Sequence, residues 1–461
     1  MKTQIARTFV AAALAAPMMT VAEVGQADKQ AAPVVAESAE VSAESVRAAN
    51  EMAKDAPRLK ASAQIKKEMK AWKKKHGIVT GVVKKGAIYL ESVQKVSENA
   101  GSPRFVMARA AAFEEAYLDA LSGYVMDKSG QTSFETANRF FMDGSSDRDT
   151  PPKNLDDAVA RITSKASQLA VAKLDAALKE MGVPVAEYEK KDIVAKRQLF
   201  LESILTKSID EATDEAVGIS VVTTFEGNDD AGNYAIGVIL RGGVDTEVIA
   251  ECLREKRRPV MVRPDMAAPV DELLPPEEDI AQEFGVRVVF DEKGVPALLS
   301  FGQAGYDYTG KDEDEEDDFT KLALEQAEGQ ANDQLTMFIN SQIHVKNERS
   351  RGKARERVLE FDSKGIPTKK SIRNYVSRMT KAADVSGSDT MIGRSTVFKE
   401  LVPHPHAKAH QVAVCVRMWS FDQFDAMSGI KNRPRGPVSE QDPVVPVRVT
   451  PGARRGRTYD F

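Results

Sequence analysis

The chain has 461 residues, which at about 150 per domain allows two or three domains, and its 42% hydrophobic content is enough for real cores. A net charge of −5 gives no global attraction to nucleic acid, so no nucleic-acid partner is expected. Two cysteines in a chain of this length exclude a small disulfide-stapled scaffold.

Residues 1–27 have the pattern of a signal peptide. Lys2 and Arg7 supply positive charge, residues 8–21 are uncharged and mostly apolar, and small residues ending at Ala22 or Ala27 form a cleavage site. The apolar run is short for a bilayer span, and no other stretch approaches about 20 apolar residues, so no integral membrane segment is expected after cleavage. No cysteine follows to carry a lipid, and the expected location is the bacterial periplasm or the exterior. Residues 28–60 are rich in Ala, Val, Ser and Glu without periodicity and read as a low-complexity spacer.

A first αβ domain with a helical insertion is expected over residues 61–250. A helix through Glu68 and Lys75 would close at Gly77, with lysines in its last turn. Residues 78–83 and 87–90, around Lys84-Lys85-Gly86, read as a hairpin. From Phe105 to Tyr124, Ala108, Ala112, Ala116 and Ala120 recur every four positions, one helix face suited to close packing. A polar stretch over 129–153 precedes helices over 155–181 and 192–217. Strands over 219–225 and 234–240 then flank a turn-forming run at 227–232.

Five prolines between 257 and 276 mark a stiff linker, placed at 251–284. The pattern then restarts as a second αβ domain over 285–425. It has a hairpin over 286–290 and 298–301, an alanine-faced helix over 319–343 with Ala323, Ala327 and Ala331, a helix over 371–383, and strands over 392–401 and 411–418. Lys85-Gly86 lies over Lys293-Gly294 at an offset of 208 that also superposes Ser92 on Ser300, which points to an internal repeat. The fold class expected is therefore α+β: two related domains, each an antiparallel sheet covered by an alanine-faced helix and its partner. Residues 426–461, proline-rich with the basic run Arg454-Arg455-Gly456-Arg457, are expected to form a disordered tail.

The alanine helix beginning Ala108-Arg109-Ala110-Ala111-Ala112, taken with a strand such as the one over 412–420, resembles exported bacterial families of unknown function. These contain the αβ domain of small envelope lipoproteins and of the flagellar T-ring protein. The resemblance implies an assembly role rather than catalysis, and it carries over no functional residue.

No P-loop, G-x-G-x-x-G after a strand, H-E-x-x-H, G-x-S-x-G or C-x-x-C occurs. His404, His406 and His410, three of the five histidines, fall within seven residues between two strands. Imidazoles so spaced could share a Zn²⁺ with an open position, against the plainer reading of a polar loop between prolines. The acidic run 312–318 lacks a calcium-loop pattern and reads as a helix N-terminus. Cys252 and Cys415 could pair after export, although Cys415 lies in an apolar run that suits a buried thiol. Tyr306, Tyr308 and Trp419 read as core before groove. The reading is a non-enzymatic exported protein with no resident cofactor, whose partners are other envelope proteins or itself, with anionic surface polymers engaged through the basic tail. The alternatives are a metal-dependent hydrolase using His404, His406 and His410, or a periplasmic small-ligand binder with its site between the two units.

Overall fold

The computed structural model describes residues 60–431, apart from 142–149, 217, 256, 307, 309, 351–358, 363–364 and 385–392. All of these belong to one unit, Arg58–Phe461. The sequence expectations for residues 1–59 and for the tail beyond 431 lie outside the described residues.

In chain order the elements are α1 (Ala61–His76), β1 (Ala87–Lys95), α2 (Phe105–Phe141), α3 (Leu155–Ser167), α4 (Val171–Glu180), α5 (Val185–Tyr188) and α6 (Ile193–Glu215). Next come β2 (Ser220–Asn228), β3 (Tyr234–Gly243), α7 (Val244–Arg254), α8 (Val270–Leu273), β4 (Gly285–Phe290) and β5 (Pro296–Tyr306). The last are α9 (Glu313–Ser350), α10 (Lys369–Asp384), β6 (Arg394–Pro403), β7 (Gln411–Ser420) and α11 (Phe421–Lys431). The fold is α+β, with two antiparallel sheets in the orders β1-β3-β2 and β4-β5-β7-β6.

The chain runs through β1-β3-β2 and β5-β7-β6 in the same way. Gly86 and Gly294, which open β1 and β5, have φ of 76° and 74°, a left-handed turn that glycine enters without a Cβ penalty. Ser92 and Ser300 both turn toward the helix that follows: Ser92 donates to Asp119 of α2 (2.9 Å) and Ser300 to the Ala331 carbonyl of α9 (2.7 Å). One edge strand of each sheet carries a bulge, between Val221 and Thr223 in β2 and between Thr396 and Phe398 in β6. A helix follows directly on each central strand, α7 after β3 and α11 after β7.

Both central strands are buried on two faces. Tyr234, Ile236 and Val238 of β3 enter the main core, while Ala235 and Ile239 meet Ile65 and Met69 of α1. Val412, Val414 and Val416 of β7 enter that same main core, while Ala413 and Cys415 meet Ala323 and Ala327 of α9. The main core therefore takes residues from both sheets, with Phe105, Phe113 and Leu121 of α2 among them. At Gly302 a Cβ would stand 2.0 Å from the Ala327 carbonyl oxygen, which shows how closely the alanine face of α9 approaches β5.

Several sequence expectations are corrected. Residues 78–83 form no strand: Gly81 donates to the Tyr89 carbonyl (2.8 Å) and Lys84 bridges Ala87, but Val79, Val82 and Val83 face solvent. The polar stretch begins inside α2, which continues to Phe141 because Phe134 and Ala137 extend its buried face and Ser129 and Ser133 bond back to Met126 and Gly130. The single helix expected over 155–181 breaks at 168–170. The helices α7 and α11 were not foreseen, and residues 426–431 are helical. Asp312 accepts from Asp314 and Glu315, so the acidic run starts α9 as expected. Trp419 is core, and Cys252 and Cys415 are free and buried, with burial pushing the Cys415 thiol up to about 12.

Candidate functional site

The loop joining β6 to β7 is tight. His404 and His410 share a backbone hydrogen bond (3.0 Å), and His410 donates to the Ala407 carbonyl (2.8 Å). The fully buried His404 ring caps this turn from inside, its Nδ1 accepting the backbone N–H groups of His406 (3.2 Å) and Ala407 (2.9 Å). An acceptor Nδ1 puts the ring proton on Nε2, which is buried without a partner. Burial first, then the charge of Arg109 and the neighbouring His406 and His410, drives the His404 pKa down to about 2. His410 points elsewhere, its Nε2 lying 2.8 Å from the Ala100 carbonyl, and His406 is exposed.

The three rings lie near one another, His404 and His410 both meeting the Phe105 ring at 5.4 and 5.5 Å and His404 standing 6.2 Å from His406, but the Nδ1 of His404 and the Nε2 of His410 take different backbone partners. Among the described residues no group of three His, Cys, Asp or Glu side chains is assembled so as to hold a metal ion. The Nε2 lone pair of His404 is masked by its proton, and the Arg109 guanidinium opposes a second cation nearby.

Arg109 itself is the feature that sequence reading passed over. It is fully buried in α2 and makes a bidentate pair with Glu226 of β2, Nε to Oε2 at 2.5 Å and Nη2 to Oε1 at 2.7 Å. Its Nη1 donates to Gln303 Oε1 of β5 (2.6 Å), its Nη2 to the Ala281 carbonyl, and its guanidinium lies 4.5 Å from the Phe284 ring centroid. Gln303 passes the network on, its Nε2 donating to the Glu283 carbonyl (2.6 Å), while its own backbone N–H donates to Gln330 of α9 (2.6 Å). The Tyr234 hydroxyl is buried without a well-formed hydrogen bond, and burial followed by the charge of Glu226 raises its pKa. One signal was readable: Phe105, Arg109, Ala112, Phe113 and Ala116 share a helical face, so this arginine sits in an apolar stripe.

A shallow apolar cleft of about 30 Å³ lies where the two sheet regions meet, lined by Tyr117, Ile219, Gly285, Val286, Gln334 and Phe338. Ligand pockets usually enclose about 300–1,000 Å³ with convergent polar groups. The Tyr117 hydroxyl here is committed to the Ile219 carbonyl (3.2 Å).

A domain of unknown function (DUF6844) matches residues 159–255, from α3 through α7. A crystal structure of a hypothetical protein from Francisella tularensis is similar at a TM-score of 0.48 and 18% identity, over 79% of this chain and 92% of that one. No protein of curated function matches.

Proposed function

We propose that this chain is an exported, non-enzymatic bacterial envelope or secreted protein that acts by protein–protein interaction or assembly. The observation that carries this reading is the Arg109 knot. A ligand binder that opens and closes between two units needs a junction that yields, whereas opening this one would pull Gln303 Oε1 and the Ala281 carbonyl away from a buried guanidinium. A fixed junction suits a scaffold that presents constant surfaces to partners. The signal-like residues 1–27 support export, and no helix among the described residues is long and apolar enough to cross a membrane.

The test is crosslinking in intact cells, followed by fractionation and sizing of the complexes. A discrete heavy complex, with the chain processed near Ala22 or Ala27 and found outside the cytoplasm, is the expected result. A monomer in every fraction would remove the assembly role, and an unprocessed cytoplasmic chain would remove export.

A further inference from the structure

We propose that α1 and the loop after it form a docking face for an anionic lipid surface. Residues 60–91 contain nine lysines and two glutamates, a formal charge of +7 within a chain whose total is −5. The structure sorts this charge. Ile65 and Met69 pack against β3, and Trp72 meets Phe225 of β2 edge-on at 6.2 Å, so the helix is clamped to the sheet by its apolar side. Lys66, Lys67, Lys70 and Lys74 are left exposed on the opposite side.

The loop leaves from the C-terminal end of that helix at Gly77. Lys73 fastens it by reaching Thr80 (3.3 Å) and Glu91 (2.5 Å), and the Ile78 N–H donates to the Lys73 carbonyl (3.0 Å). Beyond this anchor Val79, Val82 and Val83 stand 55%, 56% and 68% exposed, followed by the exposed pair Lys84 and Lys85. Single exposed valines are ordinary, but three on one anchored loop between two groups of lysines are not solvated by design. Lysines held over anionic headgroups with a small apolar tip reaching the acyl boundary is the chemistry of an interfacial membrane contact. A nucleic acid or an acidic polypeptide would satisfy the lysines and leave the valines in water. The inference stands apart from the assembly reading, since it concerns a surface of the purified chain and not its location or partners.

The experiment is co-sedimentation of the purified chain with vesicles of phosphatidylcholine alone or mixed with phosphatidylglycerol, at low and high salt. Binding is expected only to the anionic vesicles and should weaken with salt. Replacing Lys67, Lys70 and Lys74 by Gln is expected to weaken it about 100-fold, from about 1 kcal/mol for each lysine near the surface. Val82→Asp with Val83→Asp, both at exposed positions, should also release the protein while leaving its thermal melt unchanged. Equal binding to neutral vesicles would overturn the proposal. So would loss of binding on replacing Arg454, Arg455 and Arg457 with no effect of the α1 variants, which would assign the contact to the tail. A third contrary result is equally tight binding of soluble polyglutamate with no effect of the valine variants, which would assign the face to an acidic polymer.

Discussion

Replacing Arg109 by Met tests whether this buried guanidinium, paired with Glu226 of the first sheet and bonded to Gln303 of the second and to the Ala281 carbonyl, holds the two sheet regions together. Methionine keeps much of the apolar length of arginine, so the main loss is electrostatic. Glu226, with its side chain 2% exposed, would keep its charge without a counterion, and Gln303 Oε1 and the Ala281 carbonyl would each lose a donor. Removing one member of a buried pair costs about 3–5 kcal/mol, and about 4 kcal/mol is expected here, since the three losses overlap. Adding Glu226→Met should return most of it, because the stranded charge then disappears. Urea unfolding provides the assay, and the chain carries its own reporters. Its two tryptophans divide between the regions, Trp72 on α1 against the first sheet and Trp419 in the second. With Trp419→Phe or Trp72→Phe in the background, each transition is followed by one indole. The two curves should coincide in the parent and separate in Arg109→Met. A loss below about 1 kcal/mol, the range of a solvent-exposed pair, or parent curves that already separate, would refute the claim that Arg109 couples the regions.

The remaining expectations concern the loop and the helix contact. Burial drives the His404 pKa from 6.5 in the unfolded chain down to about 2 in the fold, so the unfolded state binds the extra proton between those values. Stability should therefore rise with pH across that window and fall by about 1.4 kcal/mol per unit on acidification below 6.5. That comes to about 3 kcal/mol by pH 4.5, measurable as urea midpoints, and His404→Asn should flatten the slope; an equal slope in the variant would place its origin elsewhere. Gly302→Ala should cost about 1–3 kcal/mol by overpacking against the backbone of α9, and Gly237→Ala should also be destabilising in the same urea assay, because its Cβ would meet Ile65 Cγ2 and Met69 Sδ at 2.6 Å, but less so, since these are side-chain and not backbone atoms. Excess Zn²⁺ should leave the melting temperature unchanged, because no three His, Cys, Asp or Glu side chains among the described residues are placed to hold a metal ion. A stabilisation that His404→Asn removes would restore the metal reading.

What the sequence made legible, and what it did not, follows from where each element finds its energy. Strands β3 to β7, the alanine faces of α2 and α9 and the buried side of α10 are written in local periodicity, because their partners recur at fixed spacing. β-branched composition misled at residues 78–83, where Ile78, Val79, Val82 and Val83 suggest a strand but the three valines are left facing solvent. Local pattern failed in the opposite sense at α7. Ile249, Cys252 and Leu253 pack with Val286, Leu298, Leu335, Phe338 and Trp419, so this helix from the first half is buried by residues of the second. An 11-residue helix is marginal alone, and nothing within its own sequence declares a partner that begins some thirty residues later. Arg109 is the same case in polar form. A helical arginine ordinarily lies in water, and only Glu226, Gln303 and the Ala281 carbonyl, all more than a hundred residues away, make its burial tolerable. The histidine loop inverts the lesson: spacing brought three imidazoles together on paper, and the turn's own backbone hydrogen bonds claimed one of them, the Ala100 carbonyl another and solvent the third. Two features that local pattern could not reveal, α7 and Arg109, bind one sheet region to the other, and this is why the junction is a part of the molecule that only the structure discloses.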